Sequence, residues 1–239
     1  MKTRFQSERC ITREQSEKNR AHAKTLGLPV IKPVEFHDTR LAIVGGGSTV
    51  VDHIQTLKNW NGDIWAVNGA YKWCRGHGIK PWYVSFDPMP VVGLMKVDPG
   101  TPTLLVDDAD PSVYENLHHA DIRLVPEGIG PGPTTATVCT VVAPKLGYRH
   151  ITFFGCNSDF NSGRYAYGDT HDWPDMAILK TGPYSWITTP GLLCQADLIS
   201  TCIRNFRNLF HEKSGGLLGA LVEYGDYQVV DVKYRSQNA

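Results

Sequence analysis

The chain has no apolar run approaching the roughly 20 residues that a helix needs to cross a bilayer. Residues 1–24 do not read as a secretory leader either, because they are polar throughout with no apolar centre. Both absences predict a soluble, cytoplasmic protein. No C-x-x-C pair occurs among the six cysteines, Cys10, Cys74, Cys139, Cys156, Cys194 and Cys202, so neither a thiolate zinc site nor a redox dithiol is expected. Several lie inside apolar runs, where a thiol behaves as a small hydrophobe, and they read as reduced. An excess of one charge is missing too: 24 Lys and Arg balance 24 Asp and Glu. Such a neutral body argues against strong nonspecific nucleic-acid binding, which needs several cations on one surface. What imbalance exists lies in residues 1–40, with nine Lys or Arg against five Asp or Glu. Their mixed signs read as a solvated helix or an arm for a partner.

At 239 residues the chain fits one large domain with an appendage. Residues 1–39 read as a helical leader and linker, the linker marked by Pro29 and Pro33, and residues 40–239 as the body. Strand-like runs recur at 41–44, 63–67, 82–86, 103–106, 121–125 and 150–154, with helical candidates between them at 49–60, 69–77, 111–119 and 134–146. Alternation on short connections is the pattern of parallel β-α-β units, so the expected class is α/β with a doubly wound, mostly parallel sheet. The pattern stops after Gly155. Residues 157–188 are rich in Asn, Gly, Asp, Tyr, Trp and Pro without a period, too long for an ordinary connection. Tyr165, Tyr167, Trp173, Tyr184 and Trp186 suit an aromatic lid that closes a site against solvent. A packed surface loop, or a contact between copies in a homo-oligomer, would use them equally. A helix over about 190–210 and a last, antiparallel strand at 227–234 complete the reading.

The most informative stretch is 40–88. Its first apolar run breaks into Gly45, Gly46, Gly47, Ser48 and Thr49 before residues at helical spacing, which reads as strand, tight turn and helix. Glycines let a backbone approach a phosphate closely, and the amides of a helix start favour an anion. The turn is neither G-x-G-x-x-G nor a lysine-bearing P-loop, and glycines that only make the turn are the competing reading. Two later runs end in a polar residue where a sheet's carboxyl edge would lie, at Asn68 and Asp87. Ligands bind at that edge, so Gly46, Asn68 and Asp87 are expected to face one crevice.

A second glycine turn, 127–133, precedes Thr134, Thr135 and Thr137. Thr134 suits an N-cap as well as it suits a phosphate contact. Asp87, Asp159, Asp169, Asp172 and Asp175 are candidates for base catalysis or magnesium binding, since a cation bridging phosphates takes oxygen ligands, while those in the insert serve equally as turn formers. His171, among carboxylates and aromatics, is the strongest general acid or base of the nine histidines. His53, His118 and His119 suit capping or surface roles.

Taken in order, VGGGSTV, WAVNGA, GIKPWYVSFDP and PTTATVCTVVAPKLGYRHITFFGCNSDF leading to SGRYAYGDTH make residues 40–210 resemble a Rossmann-like superfamily. It contains 6-hydroxymethylpterin diphosphokinase-like proteins, bacterial motility accessory factor glycosyltransferases and family 42 sialyltransferases. The resemblance implies a nucleotide site in which Gly45, Gly46 and Asn68 contact the nucleotide, with Gly47 and Ser48 in the same turn. It further implies Thr134 and Thr135 near its sugar or phosphate and Tyr165 on a phosphate oxygen. Asp87 looks like the diphosphokinase and motility-factor branches, where a carboxylate holds a metal ion; the sialyltransferase branch has an asparagine there, and a tyrosine where this chain has Asp159. Three functions follow as expectations. The first is a glycosyltransferase that moves a sugar from a nucleotide sugar to a hydroxyl acceptor, with His171 or Asp87 as base. The second is a magnesium-dependent diphosphokinase acting through ATP on a small alcohol, with Asp87 and Asp159 holding the metal. The third is a noncatalytic nucleotide-binding protein.

Overall fold

The protein's structure, a computed structural model, describes residues 11–90, 95–126, 132–161, 165, 166 and 175–234. Leu41, Ala42, Ile43 and Val44 are all fully buried, Leu41 and Ile43 in one apolar layer and Ala42 and Val44 in another. A strand covered on both faces shows an unbroken apolar run instead of alternation, which is how this segment looks in the sequence. It forms the end of β1 (His37–Val44). The others are β2 (Gly62–Val67), β3 (Trp82–Ser85), β4 (Pro102–Val106), β5 (Asp121–Val125), β6 (Tyr148–Phe154), β7 (Asp175–Thr181), β8 (Tyr184–Thr188), β9 (Phe210–Glu212) and β10 (Gln228–Tyr234).

Seven of these make one sheet in the order β5-β4-β3-β2-β1-β6-β9, and every neighbouring pair is parallel. The chain steps outward from β1 to β5, then returns to lay β6 on the other side of β1. Helices cover both faces. The short α2 (Ile54–Lys58), α3 (Ala70–Gly76) and α4 (Pro111–Leu117) bury Leu57, Tyr71, Trp73, Val113 and Leu117 on one side. On the other, α5 (Thr135–Lys145) and α6 (Pro190–Asn205) bury Val142, Ala143, Ile199 and Ile203. Burying one such large apolar side chain contributes about 1.5–3 kcal/mol. The expected α/β sheet flanked by helices is therefore present, and its strands begin and end within two residues of the expected runs except where β1 starts earlier.

Within 157–188, read as an aperiodic insert, residues 175–188 instead have regular structure. Residues 175–188 form a hairpin, β7 and β8, and β10 pairs with β7, so β10-β7-β8 is a separate antiparallel sheet. Gly182 takes φ 54° in the two-residue loop between Thr181 and Tyr184, the position at which such a turn calls for glycine. Ala177 and Leu179 point inward and pack with Leu193 and Ala196 of α6 and Leu217 and Leu221 of α7 (Gly216–Tyr224). The outer margin of β8 is occupied by residues 160 and 161. The Phe160 amide donates to Ile187 O at 2.9 Å, Asn161 Nδ2 donates to Ser185 O at 2.6 Å, and Asn161 Oδ1 accepts from the Ile187 amide at 2.8 Å.

The described part of the leader, from residue 11, holds a helix that is mostly exposed but packs one narrow face on the body. Its helix α1 (Arg13–Thr25) starts at Thr12, whose hydroxyl accepts the Gln15 amide at 3.1 Å, and it buries Ser16, Asn19 and Ala23. Ser16 Oγ donates to Asp108 Oδ2 at 2.6 Å and Asn19 Nδ2 to Asp108 O at 2.9 Å, fixing α1 to the loop after β4. The linker then covers the outer edge of β5: the Leu124 amide donates to Pro29 O at 2.8 Å and the Ile31 amide to Leu124 O at 2.9 Å. Cys74, Cys139 and Cys156 are buried free thiols, and burial pushes Cys74 and Cys156 up to about 12, which leaves them inert as nucleophiles. Among the described residues no helix is long and apolar enough to cross a membrane.

Candidate functional site

The strand order reverses between β1 and β6, and the crevice outside the carboxyl ends of those strands is where open α/β sheets bind ligands. There the two chains continue side by side past the sheet. The Gly45 amide donates to Phe154 O at 2.8 Å and the Gly47 amide to Gly155 O at 2.7 Å. A Cβ on Gly45 would stand 2.6 Å from Gly155 O, and one on Gly47 would stand 1.7 Å from Asn157 Oδ1. Glycine at 45 and 47 thus answers to the close approach of β6, and those two amides are already spoken for. Gly46 is skipped by this ladder, and its carbonyl accepts the Ala166 amide at 2.9 Å.

The long helix expected at 49–60 is corrected. Residues Ser48–His53 form a 3-10 helix, and α2 is only five residues long, so no extended helix dipole points at the turn. The cause is local. Thr49, Val50 and Val51 are β-branched and weak helix formers, and Thr49 Oγ1 bonds away from the turn, to Ser214 O at 2.6 Å. Ser48 Oγ, at the start of this segment, is buried without a partner among the described residues.

Asn68 follows β2 and adopts φ 48°, a left-handed conformation that asparagine tolerates better than most residues. Its amide donates to Val84 O at 3.0 Å, and its carbonyl accepts the Tyr71 amide at 3.1 Å at the start of α3. Its Oδ1 is buried with no partner among the described residues. On the next strand, half-buried Asp87 accepts the Met89 amide on Oδ1 at 3.0 Å, and burial raises its carboxyl above the usual range. Thr135 reaches the same place, its Oγ1 accepting the Phe86 amide at 3.1 Å. Gly46, Asn68, Asp87 and Thr135 therefore lie along one rim, on the consecutive strands β1, β2 and β3 and the start of α5.

Thr134 plays the capping part. Its side chain accepts the Thr137 amide while Thr137 Oγ1 accepts the Thr134 amide, and Thr134 Oγ1 donates to Gln195 Oε1 at 2.7 Å. Gln195 Nε2 in turn donates to Ser158 Oγ at 2.9 Å, and Ser158 Oγ to Cys156 O at 2.9 Å. This chain of polar groups ties the start of α5 through α6 to the end of β6. Asn157, Ser158 and Gln195 were not singled out from the sequence. Asn157 carried the same signal as Asn68, a polar residue just past an apolar strand, two positions after a glycine.

Asp159 is buried and its carboxylate is engaged: Oδ2 accepts the Leu217 amide at 2.9 Å, at the start of α7, and Oδ1 the Asn161 amide at 3.0 Å. Both of its oxygens are thereby bonded within the protein. Among the described residues no three His, Cys, Asp or Glu side chains gather as a metal site. Tyr165 is half-buried and adjoins Ala166, the residue bonded to Gly46 O. His171, Asp169, Asp172, Tyr167, Trp173 and most of the second glycine turn, 127–131, lie outside the described residues. Asp175, Tyr184 and Trp186 belong to the second sheet, and half of Tyr184 is exposed. No protein-family model matches the chain, and comparison with curated proteins finds no match.

Proposed function

We propose that the protein is a transferase that binds a nucleotide-activated donor at this rim and passes a glycosyl group from it to a hydroxyl acceptor. The observation that carries the reading is the pair of buried oxygens without partners among the described residues, Ser48 Oγ and Asn68 Oδ1, past the ends of adjacent strands beside the switch point. A buried polar group left unmade costs about 1–3 kcal/mol. A ligand bearing N–H or O–H donors, as a nucleobase and its sugar do, would satisfy both. The resemblance of the ordered motifs to nucleotide-dependent transferases and the left-handed Asn68 support the same reading.

In this reading Asp87 is the general base. Its carboxylate takes the proton of the acceptor hydroxyl as the acceptor oxygen bonds to the anomeric carbon. The bond from that carbon to the donor phosphate breaks, and the nucleotide leaves with the electron pair. Burial, by raising its pKa, makes Asp87 a stronger base. The Tyr165 hydroxyl donates to the departing phosphate. His171 is the competing base from the insert, and Asp159 holds structure instead of taking part.

A thermal-shift screen tests the reading. Nucleoside diphosphate sugars or CMP sugars at about a hundred times Kd should raise the melting temperature by about 5 °C or more. Asn68→Ala should abolish the shift, and Asp87→Asn should keep it while lowering kcat about 100-fold or more. Stabilisation by ATP with magnesium alone would favour the diphosphokinase reading, and no shift with any nucleotide would overturn the nucleotide site.

A further inference from the structure

Past β6 the sheet ends in the three-residue β9, and the short α2 lies beside the face there that carries Thr152 and its ladder partner His211. A groove of about 960 Å³ opens between them, within the size range of ligand sites. Three of its lining residues are permanent cations, Arg40, Arg207 and Lys213. Arg40 lies over the Trp60 ring at 4.3 Å, and Trp60 stands edge-on to Phe154 at 5.5 Å, so the guanidinium is propped on an aromatic wall. Arg207 and Lys213 are exposed, and neither they nor Arg40 form an ion pair among the described residues. Of the two carboxylates of the groove, Glu212 accepts the Gly215 amide, and three permanent cations outnumber the pair. Trp60 Nε1, a donor, is buried with no acceptor.

Unmatched cations set apart along a concave wall suit a ligand with several negative charges in a row. We propose that this groove is a second anion site, separate from the rim, for a small ligand carrying a chain of phosphates. Lys and Arg both bind phosphate through charge-assisted hydrogen bonds, and the aromatic wall lowers the competition from water. The neutral charge of the whole molecule disfavours a long nucleic-acid strand, which would need cations beyond the groove. The groove also abuts the rim. Lys213 precedes Ser214, whose carbonyl accepts Thr49 Oγ1 at 2.6 Å and whose hydroxyl accepts the Cys156 amide at 3.0 Å. An anion held at Lys213 is thus one residue from the support of the glycine turn.

Titration calorimetry of the full chain with tripolyphosphate tests this. Binding should be seen, and it should weaken about tenfold or more in Arg207→Ala/Lys213→Ala and to a lesser extent in Lys213→Gln, whose side chains are at the surface and whose loss leaves the core intact. Asn68→Ala should bind tripolyphosphate as the parent does. Absence of binding, equal binding by the double variant, or loss in Asn68→Ala would overturn the proposal. So would a short single-stranded DNA that binds more tightly than tripolyphosphate through the same residues, since the site would then belong to a strand.

Discussion

Gly47 has no room for a side chain, because the space a Cβ would take is filled by the Asn157 side chain. Gly47→Ala should destabilise the fold by about 1–3 kcal/mol, read as a lower urea midpoint at unchanged slope. The triple glycine was visible in the sequence, but its physical reason was not, since nothing in the chain says which strand runs beside β1. Asp87 has a pH signature instead. Its carboxyl is held above the ordinary 3.8, so the folded state keeps a proton that the unfolded chain releases. Stability is then lost as pH rises through the window above 3.8, and the loss is complete once the folded carboxyl has ionised. Asp87→Asn should raise the urea midpoint at neutral pH and leave it unchanged below that window. That Asn68 and Asp87 fall just past consecutive strands of one sheet was readable, because both end apolar runs. The bonds of Asp159 to the Leu217 and Asn161 amides were not readable, because a carboxylate that bonds a distant helix start has the same sequence appearance as one that faces a ligand.

Elements that carry their own signals were legible. Thr134 and Thr189 each cap the helix that follows, and α4 and α6 open with proline at the first helical position, as a helix start favours. The segment after the glycines was harder. Hydrophobic spacing alone does not separate a 3-10 turn from an α-helix, and β-branched Thr49, Val50 and Val51 tipped the balance. The three-residue β9 is too short to show a period, and the hairpin at 175–188 hid behind the aromatics. For α1, charge pattern suggested solvent, whereas two polar side chains in fact anchor it. Removing their partner with Asp108→Ala should release the helix, giving fast amide exchange across 13–25 while the sheet keeps its protection. Exchange unchanged in α1 would show that Ala23 and its apolar neighbours suffice.

At the scale of the molecule, alternation of strands and helices foretold a parallel sheet but not the order of its strands. That order depends on which side of β1 the sixth strand joins, a choice made by packing between segments about a hundred residues apart. The second sheet depends on the chain's last described strand in the same way. Ending the chain after Asp226 removes β10 and leaves β7 and β8 as a bare two-stranded hairpin, which is marginal alone. Such a truncation should lower the melting temperature and expose the apolar contacts of α6 and α7 to a hydrophobic dye. One residue guards the opposite border of that sheet. By mimicking a neighbouring backbone, Asn161 denies Ser185 and Ile187 to any other chain, and Tyr184 and Ile187 are both exposed beside it. Uncovered, this strand would offer itself to its own copies as a template, so the guard's contribution would be seen in concentrated solution, as resistance to fibre growth.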